Sequence, residues 1–251
     1  MTELDGKIVL VTGASRGIGY QAALEAARRG AHVIALARTI GGLEDLDDDI
    51  KKLGGESTLV PLDIRDGDGI DRLGATIFER WGHLDGLIGN AGALGIVSPV
   101  AHVDPKDFDK SIAINVTANY RLIRSMDLLL RQSVAGRAVF MTSGAATSLQ
   151  PYWSTYAVAK AALDALVRTY AAEVENTKLR VNLFSPGPVR TAMRAQGFPG
   201  EDPDKLTPPS AVAPALIDML LPSYTRNGAL FHFPSKETRP LVQQAFTTPG
   251  A

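Results

Sequence analysis

A chain of 251 residues, 45% hydrophobic and 21% charged, carries enough apolar material for one large α/β domain or two smaller ones. A formal net charge of −1 gives no global pull toward nucleic acid or a membrane surface, and the lack of cysteine excludes disulfides and thiolate chemistry. The first residues are acidic and polar, unlike a secretory leader, and no run approaches the roughly 18 apolar residues of a membrane span, so a cytoplasmic protein is expected.

Residues 8–12 form the first short, continuously apolar run and read as a strand. Directly after it comes Gly13-Ala14-Ser15-Arg16-Gly17-Ile18-Gly19, which opens a helical pattern over 17–29 that ends at Gly30, a residue suited to a helix C-terminus. A glycine-rich turn between strand and helix lets the backbone approach a pyrophosphate and aims the helix N-terminus at its charge. The strand–turn–helix setting makes dinucleotide binding the expected use of this loop. A second strand is expected at 32–36, a helix at 43–53 and a strand at 58–60. The acids from Glu44 to Asp49 are expected to open that helix, where they favour its dipole, rather than to bind a cation.

A helix at 67–81 and a strand at 86–88 follow, then a long helical pattern at 105–132 that starts well, with Asp104 as N-cap and Pro105 after it. Further strands are expected at 138–141, 181–184 and 229–231, with a helix at 152–176 between the first two. Near-continuous apolar strands alternating with helices imply an α/β fold: a doubly wound parallel sheet of the Rossmann type, with helices on both faces. One catalytic domain is expected over 1–234, with a mobile lid excursion at 195–210, where Pro199, Pro203, Pro208 and Pro209 cluster. Residues 235–251, polar and holding Pro240 and Pro249, are expected to be a loosely held tail. His32, His83, His102 and His232 are scattered without metal-ligand spacing, so no metal site is expected.

Within the 152–176 helix, Tyr156 and Lys160 lie one turn apart on the same face. A surface pair is one explanation; an ammonium placed to change the acidity of a phenol is the other. Free tyrosine titrates near 10, and a drop of about three units corresponds to about 4 kcal/mol of preferential phenolate stabilisation. A lysine one turn away, helped by an oxidised nicotinamide ring, supplies such a field in a partly dry site.

These features, with the Gly-x-x-x-Gly-x-Gly spacing of the loop, resemble the short-chain dehydrogenase/reductase family over roughly residues 6–220. Asp63 stands where the family contacts adenine, and Asn90-Ala91-Gly92 matches the segment after the fourth strand, with Gly89 where a further asparagine is common. Asn115, Ser143, Tyr156 and Lys160 match the family's catalytic set. Pro186, Gly187, Val189 and Thr191 match the segment that lies against the nicotinamide. The resemblance implies an oxidoreductase that interconverts a carbonyl and a secondary alcohol of a small molecule, with Tyr156 as general acid/base, Ser143 holding the substrate oxygen, Lys160 also bonding the nicotinamide ribose, and Asn115 holding a water that links Lys160 to solvent. Ala37 takes the place of the acid common in NAD-preferring members, and Arg38 follows it, so with Arg16 the preferred cofactor is expected to be NADP(H). Cofactor contacts are thus expected from Gly13, Ser15, Arg16, Gly17, Ile18, Gly19, Arg38, Asp63, Asn90, Ala91, Gly92, Tyr156, Lys160, Pro186, Gly187, Val189 and Thr191. The substrate pocket is expected from Leu94, Gly95, Ile96, Ala145, Leu149, Tyr152, Met193 and Phe198. The helical stretches 105–132 and 152–176 are expected to form the interface of a homodimer or homotetramer. The segment 227–234 lacks the family's common Asp-Gly-Gly. The alternative function is a non-catalytic dinucleotide sensor on the same fold; an intact Tyr156 and Lys160 favour the enzyme.

Overall fold

A computed structural model describes residues 2–148 and 150–240. The apolar runs become strands β1 (Ile8–Thr12), β2 (His32–Ala37), β3 (Ser57–Pro61), β4 (Gly86–Gly89), β5 (Arg137–Met141), β6 (Arg180–Ser185) and β7 (Ala229–His232). All seven pair in parallel, in the spatial order β3-β2-β1-β4-β5-β6-β7. An eighth strand, β8 (Glu237–Pro240), runs antiparallel beside β7, with His232 opposite Glu237. The helices are α1 (Gly17–Arg28), α2 (Ile40–Lys52), α3 (Gly67–Trp81), α4 (Pro105–Ile112), α5 (Ala118–Gln132), α6 (Ala145–Ser148), α7 (Ser154–Glu173), α8 (Ala192–Gly197) and α9 (Pro209–Asp218).

Both sheet faces are covered, which is why the central strands read as unbroken apolar runs rather than alternating ones. On one face, Leu10, Leu87 and Phe140 meet α3, α5 and α7 through Ile70, Leu122 and Leu163. On the other, Val9, Ile88 and Phe184 meet α1, α2 and α9 through Ala22, Leu46 and Leu216. Strand order reverses direction between β1 and β4, and the crevice beyond the carboxyl ends of those strands is where such sheets bind ligands. At the opposite end, Asp85 accepts hydrogen bonds from Ile8 N (3.0 Å), Lys7 Nζ (3.2 Å) and Ser133 Oγ (2.6 Å), tying β1, β4 and the end of α5 together.

Several expectations are corrected. The stretch 105–132 is not one helix: α4 passes through a π-turn at Ala113–Thr117 before α5 begins. Helix α2 starts at Ile40, so Glu44 to Asp49 lie inside it and no acid occupies its first turn. Those acids instead bind locally, Asp47 with Lys51 and Asp49 with Lys52 and the Tyr20 hydroxyl. The segment 195–210, whose expected mobility the fold does not test, holds the end of α8, a 3-10 turn at Pro203–Lys205 and the start of α9. A helix at Pro209–Asp218 escaped the sequence pattern because Pro214 interrupts it; Pro209 itself sits in the first turn, where a missing N–H costs nothing. The first residues of the expected tail form β8, so the sheet runs unbroken past residue 234. Residues 241–251 lie outside the described residues, as does Leu149.

Candidate active site

The loop after β1 is fixed by Thr12, a residue the sequence pattern did not single out. Its hydroxyl donates to Ile88 O (3.2 Å) and accepts from Asn90 N and Ala91 N (both 3.0 Å), while Asn90 Nδ2 donates to Thr12 O (2.9 Å). The loops following β1 and β4 are thereby joined. Gly17 has φ +62°, a conformation that favours glycine. A side chain at Gly19 has no room: its Cβ would lie 2.3 Å from Gly13 O. Arg16 is the N-cap of α1 and provides no side-chain cap, and the first turn holds no acid. The free amides at that helix end face the cleft with their positive dipole uncancelled, which suits an anion such as a pyrophosphate.

The cleft measures about 1170 Å³. At its nucleotide end it is lined by Gly13, Ser15, Arg16, Gly17 and Ile18 from the loop, and by Arg38, Asp63 and the Asn90-Ala91-Gly92 segment across from it. At its far end it is lined by Tyr156, Lys160, Pro186 and Thr191. Ala37 ends β2 buried, and Arg16 and Arg38 are exposed at the rim, with no side-chain ion pair among the described residues. Asp63 is clamped by Arg65 (2.7 Å to Nη2), which holds its carboxyl at about 2. Gly19, Gly187 and Val189 do not line the cleft. Gly19 packs beneath the loop, Gly187 abuts Pro234, and Val189 is buried in the core.

Four residues expected at the reacting centre come from three elements. Tyr156 and Lys160 project from the first turns of α7, and Ser143 follows β5. Lys160 is buried, with Nζ donating to Met141 O (2.8 Å) and standing 5.7 Å from the Tyr156 ring centre. Asn115 lies in the π-turn, fully buried. Its side chain spans the gap to the β4 loop: Nδ2 donates to Ala93 O (2.9 Å) and Ser111 O (3.0 Å), and Oδ1 accepts from Ala93 N (3.2 Å). Ser111, also not foreseen, ties this turn to α7 by donating to Thr155 O (3.0 Å).

Burial lowers the Lys160 ammonium to about 8, while Asp164 opposes that shift. Removing a charge of this kind from water costs about 3 kcal/mol at neutral pH. Burial pushes the Tyr156 phenol up to about 12, and the Ser143 hydroxyl beside it acts in the opposite direction. The lowered phenol expected from the Tyr156–Lys160 spacing is therefore not produced by the chain's own groups.

Leu94, Gly95, Ile96 and Met193 line the cleft beside the tyrosine as expected, together with Asp107, Lys110 and Gln196, which the sequence did not single out. Ala145, Tyr152 and Phe198 do not. Phe198 instead packs on Trp153 (5.2 Å between ring centres) beneath the Arg194 guanidinium (3.6 Å), and Trp153 meets Tyr156 edge-on at 6.2 Å.

The short chain dehydrogenase family model matches residues 7–202. The chain is 36% identical over 217 residues to the uncharacterized oxidoreductase YciK of Escherichia coli, covering 85% of this chain and 86% of that one. It is 33% identical over 193 residues to versicolorin reductase of Emericella nidulans, covering 76% and 72% of the two chains. A solved Escherichia coli short chain dehydrogenase complexed with NADPH superposes with a TM-score of 0.87 at 35% identity, covering 92% of this chain and 98% of its own. Sequence, fold and cleft agree: the chain belongs to the short-chain dehydrogenase/reductase family and is an oxidoreductase.

Proposed function

We propose that this oxidoreductase uses NADP(H) to interconvert a carbonyl and a secondary alcohol, within one catalytic domain and with Tyr156 as general acid and base. The observation that carries this reading is the floor of the cleft, where the Tyr156 phenol and the Lys160 ammonium lie one helical turn apart, with the Ser143 hydroxyl, outside the cleft lining itself, beside the phenol. Bound in the cleft, the cofactor supplies or accepts the hydride. Ser143 holds the substrate oxygen and stabilises the charge that develops on it. In reduction Tyr156 gives its phenolic proton to that oxygen; in oxidation it takes the proton back. Burial keeps the phenol neutral at physiological pH but makes it a weaker acid than free tyrosine, so proton donation depends on groups that stabilise the phenolate. Lys160 favours the phenolate left behind, against the burial that disfavours it. Asn115 contributes by fixing Ala93, and with it the loop that faces Lys160.

The preference for NADP(H) rests on the buried Ala37 in place of an acid, on Arg16 and Arg38 at the rim, and on the NADPH held by the related Escherichia coli structure. An apolar wall of Leu94, Ile96 and Met193 suits an uncharged carbonyl compound. NADPH consumption measured against a panel of ketones tests the reading. The wild-type protein should reduce at least one, and Tyr156→Phe should lower kcat by about a hundred- to ten-thousandfold while NADPH affinity stays near wild type. Substantial turnover in Tyr156→Phe would overturn the role given to the tyrosine.

A further inference from the structure

Helix α7 carries a second charge, half-buried, that the reaction does not use. Asp164 follows Lys160 by one turn on the same face, and its carboxylate accepts a hydrogen bond from Thr142 Oγ1 on β5's exit. Thr142 is itself buried, and the next residue is Ser143. One turn earlier, Lys160 Nζ holds the carbonyl of Met141. Two consecutive residues at the end of β5 are thus gripped by two side chains of α7, immediately before the serine that faces the phenol.

The groups that face Asp164 are Thr142 from β5 and, from its own helix, Lys160 and Arg168. Charges along this face therefore alternate: positive at 160, negative at 164, positive at 168. Burial raises the Asp164 carboxyl above its ordinary value, and Thr142, Lys160 and Arg168 all oppose that by favouring its charged form. Asp164 is in turn the group that raises Lys160 against its own burial. A buried ammonium without a counter-charge shifts toward its neutral form, so removal of Asp164 leaves Lys160 worse placed to remain a cation.

We propose that Asp164 is a positioning residue of the reaction: through Thr142 it fixes the strand end that presents Ser143, and through its charge it keeps Lys160 an ammonium. This rests on the reading of Tyr156 and Lys160 as the reacting pair. A plain structural tie between β5 and α7 would affect stability without affecting the ionisation of Lys160.

Three variants separate the two contributions. Asp164→Asn keeps the acceptor for Thr142 and removes the charge; Asp164→Glu keeps the charge; Thr142→Val removes the hydroxyl alone. In protein labelled at lysine Cε, the resonance of Lys160, identified by its loss in Lys160→Arg, reports the ammonium titration by NMR without any substrate. Its midpoint should lie near 8 in the wild type. It should fall by about one pH unit in Asp164→Asn and stay near the wild-type value in Asp164→Glu and Thr142→Val. In carbonyl reduction, activity is lost as pH rises through the lysine's pKa, so that loss should move to lower pH in Asp164→Asn only. Thr142→Val should lower kcat by about ten- to a hundredfold with KM and the pH profile unchanged. Asp164→Ser serves if Asp164→Asn does not fold. An unmoved Lys160 midpoint in the folded charge-free variant would overturn the electrostatic half, and wild-type kcat in Thr142→Val the positional half. A wild-type protein that reduces no carbonyl would instead sink the proposed function, while the lysine titration still decides the place of Asp164.

Discussion

Arg38 and Arg16 stand at the nucleotide end of the cleft without ion-pair partners among the described residues, and of the α2 acids Asp47 is engaged with Lys51 and Asp49 with Lys52 and Tyr20. One charge-assisted hydrogen bond contributes about 1.5–3 kcal/mol. Arg38→Ala should then weaken NADPH binding by about ten- to a hundredfold and leave NADH nearly unchanged, as measured by fluorescence titration of each nucleotide. Equal weakening of both would count against a 2′-phosphate contact. At this scale the candidate site was legible where its geometry is local: Tyr156 and Lys160 share a helical face by their spacing, and the glycine loop follows a strand. Thr12, Ser111 and Thr142 were not legible. Each acts on a residue of another element, at separations of 76 positions for Thr12 with Ile88, 44 for Ser111 with Thr155 and 22 for Thr142 with Asp164. The burial that governs the Tyr156 phenol in the chain alone was not legible either, since it depends on what packs around the phenol rather than on its neighbour on the helix.

Among the elements, the segment after β6 changes most between expectation and structure. Proline and glycine suggested an irregular excursion, yet Arg194 bonds Glu201 through Nε (2.5 Å) and Nη2 (2.6 Å), and its guanidinium covers Phe198. Phe198 in turn packs on Trp153 at the start of α7, and Gln196 Nε2 donates to Gly95 O (3.4 Å). These contacts latch α8 across the mouth of the substrate end of the cleft. Aromatic packing of this kind contributes about 1 kcal/mol beyond the area it buries. Phe198→Ala should accordingly speed amide exchange over 192–201 by about fivefold in the free protein, a gap that narrows with cofactor and substrate bound. Exchange equal to wild type in both states would remove the latch from consideration. The π-turn in the 105–132 stretch gave no warning in the sequence either. Its apolar spacing is nearly helical throughout, and the extra residue in the turn is held by Asn115 bonding Ala93, a contact with a distant loop.

Across the molecule, several large apolar side chains on α5 and α7 remain exposed among the described residues, with Arg124 between those of α5. Leu128 is 75% exposed on α5, Tyr120 lies on the same stripe two turns earlier, and Val158, Ala161 and Ala165 form a narrow exposed line on α7. Small residues on α7 allow a second helix to approach closely, and a monomer rarely leaves such a patch uncovered. Light scattering at micromolar concentration should give the mass of a dimer or tetramer, and Leu128→Arg should reduce it. A monomeric wild-type mass would refute assembly through this face. The architecture was the most legible level of all, because strands buried on both faces must be apolar along their whole length. Of the strands, only β8 was lost: Glu237-Thr238-Arg239-Pro240 is an exposed edge strand with no apolar run to betray it.

Strand order carries one more consequence, for the order in which the molecule comes into being. Strand β2 joins one edge of β1 and β3 extends that side; β4 joins the other edge, and each later strand adds beyond its predecessor. No strand ever has to be inserted between two already paired. A chain emerging from its N-terminus can therefore extend its sheet edge by edge as it is synthesised. The nucleotide half of the cleft, built from the loops after β1, β2, β3 and β4, exists in the chain by Gly92, well before Tyr156 and Lys160 have been made. The reacting residues are added to a framework whose nucleotide end precedes them.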